Sequence, residues 1–278
     1  MYLRLSSILF LLSIVQTACA QVNEAHLATA GKTIATRFAP PTGYERVSAQ
    51  TGSFAHYLQN LPLKPHGTSV KYHDGTTKIN RGVYAAVVDM EIGNKDLQQC
   101  ADAVMRLRAE HLYQQKKYTD IHFKFTNGDN ALYTQYAEGY RASVKGNKIT
   151  WNKTAKKDYG YATFRKYMDL VFTYAGTLSL GKELTPVVSL KDMKIGDVFI
   201  RGGSPGHAVI VVDVARHKQT GEKLFLLAQS YMPAQETQVL LNPNSTELSP
   251  WYSVSFESKL ATPEWTFEKN QLKRFVEK

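Results

Sequence analysis

The sequence predicts an α+β fold in which helices come first and an antiparallel meander follows. Three observations carry that expectation. Between 96 and 115, residues Leu97, Cys100, Ala101, Val104, Leu107, His111 and Leu112 recur at helical spacing and define one apolar face. In the last third, short apolar runs at 197–201, 207–215, 224–230 and 237–241 are separated by turn-forming residues, the pattern of neighbouring strands. No internal repeat or Pro/Ser-rich hinge divides the chain, so residues 21–278 read as one domain with helices packed against one face of a sheet.

Along the chain, residues 24–38 suit a short helix stopped by Pro40-Pro41. Ser53 is placed to cap a helix through FAHYLQNL, where Phe54, Tyr57, Leu58 and Leu61 recur at helical spacing. SVKYHDGTTKI reads as a hairpin around Asp74-Gly75, a pair that favours tight turns. VYAAVVDMEI is apolar and β-branched enough for a buried strand. After it, Asp96 and Gln99 have the spacing of a capping box, which starts the main helix at Asp96. IHFKFTNG alternates as a strand, and YATFRKYMDLVFTYAGTLSL reads as a second helix ending near Gly181. RHKQTGEK has the glycine and polar residues of a hairpin loop. Residues 21–80 thus form an N-terminal embellishment and 83–241 the core.

The first 20 residues carry one Arg, an apolar run from Ile8 to Val15 and then Ala18-Cys19-Ala20. That order is the pattern of a secretory leader cleaved after Ala20, and it places the mature chain in the periplasm or outside the cell. Gln16 stands where a lipoprotein signal favours Leu, so lipid anchoring at Cys19 is the lesser alternative. The formal charge of the whole chain is +10, and removing Arg4 leaves +9. Such a balance suits an anionic envelope polymer as partner. The Lys and Arg are scattered in short clusters such as QQKKY and NKTAKKDY, which argues against a nucleic-acid platform.

Cleavage also leaves Cys100 as the one cysteine, so the mature chain has no internal disulfide. A thiolate nucleophile needs a helix N-terminus or an imidazolium to lower its pKa, and a polar group to orient the imidazole. Cys100 on the main helix, His207 at the start of a strand and Gln229 at the end of the next strand stand in that order. The other reading of Cys100 is a small buried hydrophobe on the apolar face. Gln229 is open to reading as a satisfied core amide. Asp213 lies six residues beyond His207 on the same strand, about 20 Å away, which excludes it as the orienting group. Tyr231, Trp251 and Tyr252 could line a substrate platform or simply pack their loops. There is no H-E-x-x-H, paired-cysteine metal signature or Walker loop, and the other histidines lack ligand spacing.

IGDVFIRGGSPGHAVIVVDV resembles the G-D-(apolar)…G-H-(apolar) segment of bacterial NlpC-type cell-wall endopeptidases and CHAP-type amidases. DLQQCADAVMRLRAE, YAGTLSL, PGHAVIVVD and LAQSYMPAQ resemble stretches of an exported bacterial family catalogued as a domain of unknown function. The first resemblance implies a reduced papain-like fold for 83–241. It implies Cys100 as nucleophile, His207 as general base and Gln229 as orienting or oxyanion group. Peptides of peptidoglycan would be the substrate, and no metal or organic cofactor is implied. In NlpC-type enzymes the cysteine stands at the first helical turn, commonly as D-C-S. With Asp96 as cap, LQQCAD puts Cys100 at about the fourth position instead. The alternative is an envelope protein that keeps the fold, without catalysis, and binds wall polymer or a protein partner.

Overall fold

The computed structural model describes residues 21–276, so the leader expected over residues 1–20 lies outside the described residues. Its elements are β1 (Tyr44–Arg46), α1 (Phe54–Gln59), β2 (Tyr84–Val87), α2 (Cys100–Gln114), α3 (Tyr161–Tyr174), α4 (Thr177–Glu183), β3 (Val198–Arg201), β4 (His207–His217), β5 (Lys223–Gln229), β6 (Gln238–Leu240) and β7 (Leu272–Arg274). These strands, with Thr185–Pro186 and Tyr252–Ser253, form a nine-stranded sheet. Its main path runs β2-β6-β5-β4-β3-β7, and every pairing in it is antiparallel. The fold is therefore α+β, built mostly of antiparallel strands. The hairpin expected between the last long strands closes as β4–β5, with Arg216 opposite Lys223.

The continuous apolar character of β4 and β5 follows from a sheet covered on both faces. On one face Ala208, Ile210, Leu226 and Ala228 pack in a core shared with Ala101, Val104 and Met105 of α2. On the other, Val209, Val211, Phe225 and Leu227 meet Tyr252, Leu260 and Phe267 from the C-terminal quarter of the chain. Each fully buried aliphatic or aromatic side chain contributes roughly 1.5–3 kcal/mol by leaving water. The two cores hold β4 rigidly between them, which matters because β4 begins at His207.

Several expected elements are shorter than their sequence patterns. The helix expected at 24–38 is two pieces, a 3-10 turn at Glu24–His26 and a single α-turn at Ile34–Arg37. Gly31 lies between them, where a side chain would collide with the Thr36 backbone. The helix expected from Tyr161 to Gly181 breaks at Gly176, whose N–H is taken by Ser179 Oγ at 3.0 Å, and α4 restarts from there. VYAAVVDMEI forms a ladder only over β2; Val88 still donates to the Thr237 carbonyl and bridges Leu63, and no pairing continues beyond Asp89. Around Asp74-Gly75 the chain does turn back, but one bridge, Lys71 to Thr77, replaces a ladder. Ser53 caps α1 as expected, its Oγ accepting the His56 N–H at 3.1 Å.

Candidate active site

Helix α2 begins at Cys100, not at Asp96, and the reason is local. The Asp102 carboxylate accepts the Gln99 backbone N–H at 3.0 Å, so Gln99 becomes the last extended residue before the helix. Asp96 is occupied elsewhere: its Oδ1 accepts the Ala234 N–H at 2.7 Å and the Gln99 side-chain amide at 3.0 Å. The capping pair is shifted by three residues from the one its spacing suggested. Cys100 accordingly stands at the first helical position, not the fourth. There the N–H groups of the first turn have no intrahelical acceptor. The amides of Cys100 and Ala101 point to the sulfur, as does the amide of Ala208, the residue after His207. The thiol is thus seated against the first residues of β4.

A β-bulge decides the partner of His207. From Lys223 to Leu226, β5 pairs with β4 in one register; at Leu227 the partner shifts from the expected Val212 to Val211. Continued beyond Ala228 opposite Ile210, the shifted register sets Gln229 opposite Val209, on the face that carries His207 two residues away. Without the extra residue, Val212 on β4, Gln229 would fall opposite Ile210 and His207 would face the other side of the sheet from it, because side chains alternate. In the bulged register Gln229 and His207 are diagonal cross-strand neighbours, within reach of long side chains. His207 Nε2 and Gln229 Oε1 are 2.8 Å apart.

Around this pair lies a buried polar chain that spacing along the sequence did not disclose. Gln229 Nε2 donates to Glu264 Oε2 at 2.6 Å. Lys78 Nζ donates to both Glu264 oxygens at 2.8 Å and to Gln235 Oε1 at 3.0 Å. Gln238 Nε2 also donates to Gln235 Oε1, at 2.9 Å. Lys78 and Glu264 come from segments 186 residues apart, neither of which carries a motif. No short-range signal could have found them. The His207 ring is enclosed by Tyr231, Trp265 and Phe267, with centroids at 4.8, 5.4 and 5.8 Å. Tyr231 therefore belongs to the site, whereas Trp251 and Tyr252 are core residues.

Burial governs the electrostatics. It pushes the Cys100 thiol up to about 11, with the Asp102 carboxylate adding to the rise and the three backbone amides opposing it. It lowers His207 to about 4; the Gln229 hydrogen bond acts the other way, and Lys78 adds to the lowering. Asp102 is raised to about 8, also by burial, and its Oδ1 has no hydrogen-bond partner. At neutral pH the resting site holds a thiol and a neutral imidazole. Cys100 is 7 % exposed, while His207 and Gln229 are each 1 % exposed.

The structure thus brings His207 and Gln229 into direct contact and sets Cys100 beside the first residues of β4. Two cavities lie away from this site. One of about 450 Å³ is lined by Arg108, His111 and Lys117, and one of about 1160 Å³ by Arg46, Asp197 and Lys223. Arg108 is eight residues along α2 from Cys100, about 12 Å down the axis. Among the described residues no group of three or more His, Cys, Asp or Glu side chains could hold a metal ion. No described helix is long and apolar enough to cross a membrane.

No curated protein and no solved structure matches the chain. The family described as "Domain of unknown function (4846)" matches residues 34–274, a span that takes in Cys100, His207, Gln229, Lys78 and Glu264 together with the whole sheet. The chain belongs to that family.

Proposed function

We propose that the protein is an exported thiol hydrolase with a papain-like core over residues 83–241, in a single domain spanning 21–278. Its substrate class is an amide in cell-wall peptides. The observation that carries this reading is the hydrogen bond between His207 and Gln229 beside a cysteine at the first position of a helix. Cysteine hydrolases need those three parts and that order of contact. The basic charge of the chain supports an anionic wall polymer such as peptidoglycan as partner.

In the reaction, the Cys100 sulfur attacks the substrate carbonyl carbon as His207 takes the thiol proton. A C–S bond forms and the carbonyl oxygen gains the negative charge. The backbone N–H groups of Cys100 and Ala101, which point to the sulfur, are the donors offered to that oxygen. Collapse breaks the C–N bond, and the proton on His207 goes to the leaving amine. Water, deprotonated by His207, then attacks the thioester, the C–S bond breaks, and the thiol regains its proton. Because thiol and imidazole rest neutral, proton transfer accompanies attack. Gln229 is engaged by His207 on one side and Glu264 on the other, which suits an orienting role better than an oxyanion role.

A second reading, a non-catalytic envelope protein that binds wall polymer or a protein partner, is favoured by one observation. Cys100 is buried and its thiol is raised to about 11. The two separate in one experiment. Native protein and the Cys100→Ala variant are incubated with purified peptidoglycan and the soluble fragments read by mass spectrometry. Release of peptide fragments by the native chain alone supports the hydrolase. Equal binding with no release by either supports the second reading.

A further inference from the structure

We infer that Glu264 and Lys78 are positioning residues that fix the orientation of the Gln229 amide and, through it, which nitrogen of His207 is the base. The inference rests on the thiol-hydrolase reading for its catalytic meaning, though its geometry stands independently. The argument follows donors and acceptors along the chain. Lys78 has donors only, and it spends them on both oxygens of Glu264 and on Gln235. The Glu264 carboxylate, so paired, has acceptors only. The group of Gln229 that lies 2.6 Å from Glu264 Oε2 must therefore be its NH₂. The opposite end of the same amide, Oε1, then faces His207 at 2.8 Å. An acceptor there requires the hydrogen on His207 Nε2. The lone pair is left on Nδ1, the only ring nitrogen able to take a proton.

Reversing any link reverses the outcome. A flipped Gln229 would set its carbonyl oxygen against the Glu264 carboxylate, two acceptors in a buried site with no hydrogen between them. Its NH₂ would then donate to Nε2 and force the hydrogen onto Nδ1. The pair of charges is thus a one-way device. Neither a glutamine nor an asparagine at position 264 would discriminate, because an amide presents a donor or an acceptor equally well. Lys78 is 3 % exposed and Glu264 also lies largely within the protein, so water offers little alternative. The chain also explains the placement of the segment after Asp74-Gly75: its one bridge is a weak structural feature, but it delivers Lys78 to the interior.

The test is a pair of variants read by long-range ¹H–¹⁵N correlation spectra of the histidine rings at pH 7. In the native protein His207 should be a single tautomer with hydrogen on Nε2. In Glu264→Gln, both tautomers should be populated. Because one buried charge left alone can prevent folding, the double variant Lys78→Met with Glu264→Gln removes both charges together and should show the same mixture. A purely structural pair would lower stability in either variant and leave the tautomer alone. A native His207 carrying its hydrogen on Nδ1, or an unchanged Nε2–H tautomer in folded variants, overturns the inference. Alkylation of Cys100 by iodoacetamide is followed on the same samples. A fall in rate in proportion to the lost Nε2–H population, about twofold for an even mixture, adds the catalytic consequence. Should native Cys100 resist alkylation altogether while the tautomer still shifts, the inference stands and the thiol-hydrolase reading falls.

Discussion

Strand β4 carries two buried polar clusters, and their difference is instructive. At its start, His207 bonds Gln229, with Glu264 and Lys78 behind. Beyond the bulge, Asp213 is fully buried and bonds Arg46 at 2.7 Å, Gln59 at 2.7 Å and the Val214 N–H at 2.9 Å. Both clusters tie a β-strand to distant segments, and burial opposes the charged form of both central groups. It raises Asp213, against the pull of Arg46, and lowers His207. Around Asp213 a charge is met by a charge and two further donors, so the cluster is closed. Around His207 the bond to Gln229 uses one ring nitrogen and leaves the other, while the N–H of the next residue, Ala208, points to the Cys100 sulfur. Burial with partners makes a structural anchor. Burial with one valence left over makes a candidate reactive site.

Breaking each cluster in turn should separate the two roles. The largest effect on folding is expected from Arg46→Ala, which strands the Asp213 carboxylate in the interior. The expected loss is about 3 kcal/mol, read by urea denaturation, with Cys100 alkylation in the folded protein unchanged. Equal sensitivity of labelling to this variant would erase the distinction between the clusters. His207→Ala should do the opposite. Its stability loss should stay near 1–3 kcal/mol, the cost of leaving the Gln229 carbonyl unsatisfied. Any amide-releasing activity should drop by roughly 10²–10⁴, measured by fragment release from peptidoglycan. A fully active His207→Ala protein would remove His207 from the chemistry.

A further test concerns pH. Asp102 is raised in the folded protein to about 8 against an ordinary value of 3.8. Between those values the folded state holds a proton that the unfolded state has lost, so this group's contribution to stability falls as pH rises from about 4 to about 8. His207, lowered to about 4 from 6.5, acts in the reverse sense: the unfolded state binds the extra proton, and stability falls as pH drops from about 6.5 to 4. Asp102→Asn should remove the fall in stability between about pH 6.5 and 8 and, between about 6.5 and 4, expose the acid loss from His207 that Asp102 offsets. It should also speed Cys100 labelling above pH 8, since the carboxylate raises the thiol. A slope in denaturation midpoints from pH 6 to 8 that is unchanged by the substitution would show that Asp102 is already ionised in the folded protein at pH 6.

Much of the fold was legible in the sequence because it depends on local pattern. The apolar runs of β3, β4 and β5, the hairpin loop between β4 and β5, the Ser53 cap and the helical face of α2 all stand within windows of a few residues. The start of α2 was misplaced by its own cap signal. Asp96 has the right type and spacing, but the Ala234 amide, 138 residues away, claims its carboxylate. The same competition explains the shortened β2 and the divided helices, where tertiary contacts or a single glycine overrode an apolar run. Lys78 and Glu264 were invisible for a stronger reason. A buried ion pair between remote loops leaves no periodicity in either one.

By itself, then, the sequence determined the composition of the candidate site: one cysteine within residues 21–278, one histidine at a strand start, one amide at the end of the neighbouring strand. Residue type and order along the chain are sufficient for that, since only a few side chains have the chemistry. Geometry lay beyond it. That Cys100 heads its helix was decided by Asp102 and by the occupation of Asp96. That Gln229 faces His207 was decided by one bulged residue, Val212 of β4, which inverts the side of the sheet taken by the β4 residues between it and His207. Strand alternation has a period of two, so a single residue of register separates a bonded pair from two side chains on opposite faces. Such a choice is made by packing of the whole sheet, not by any stretch within it.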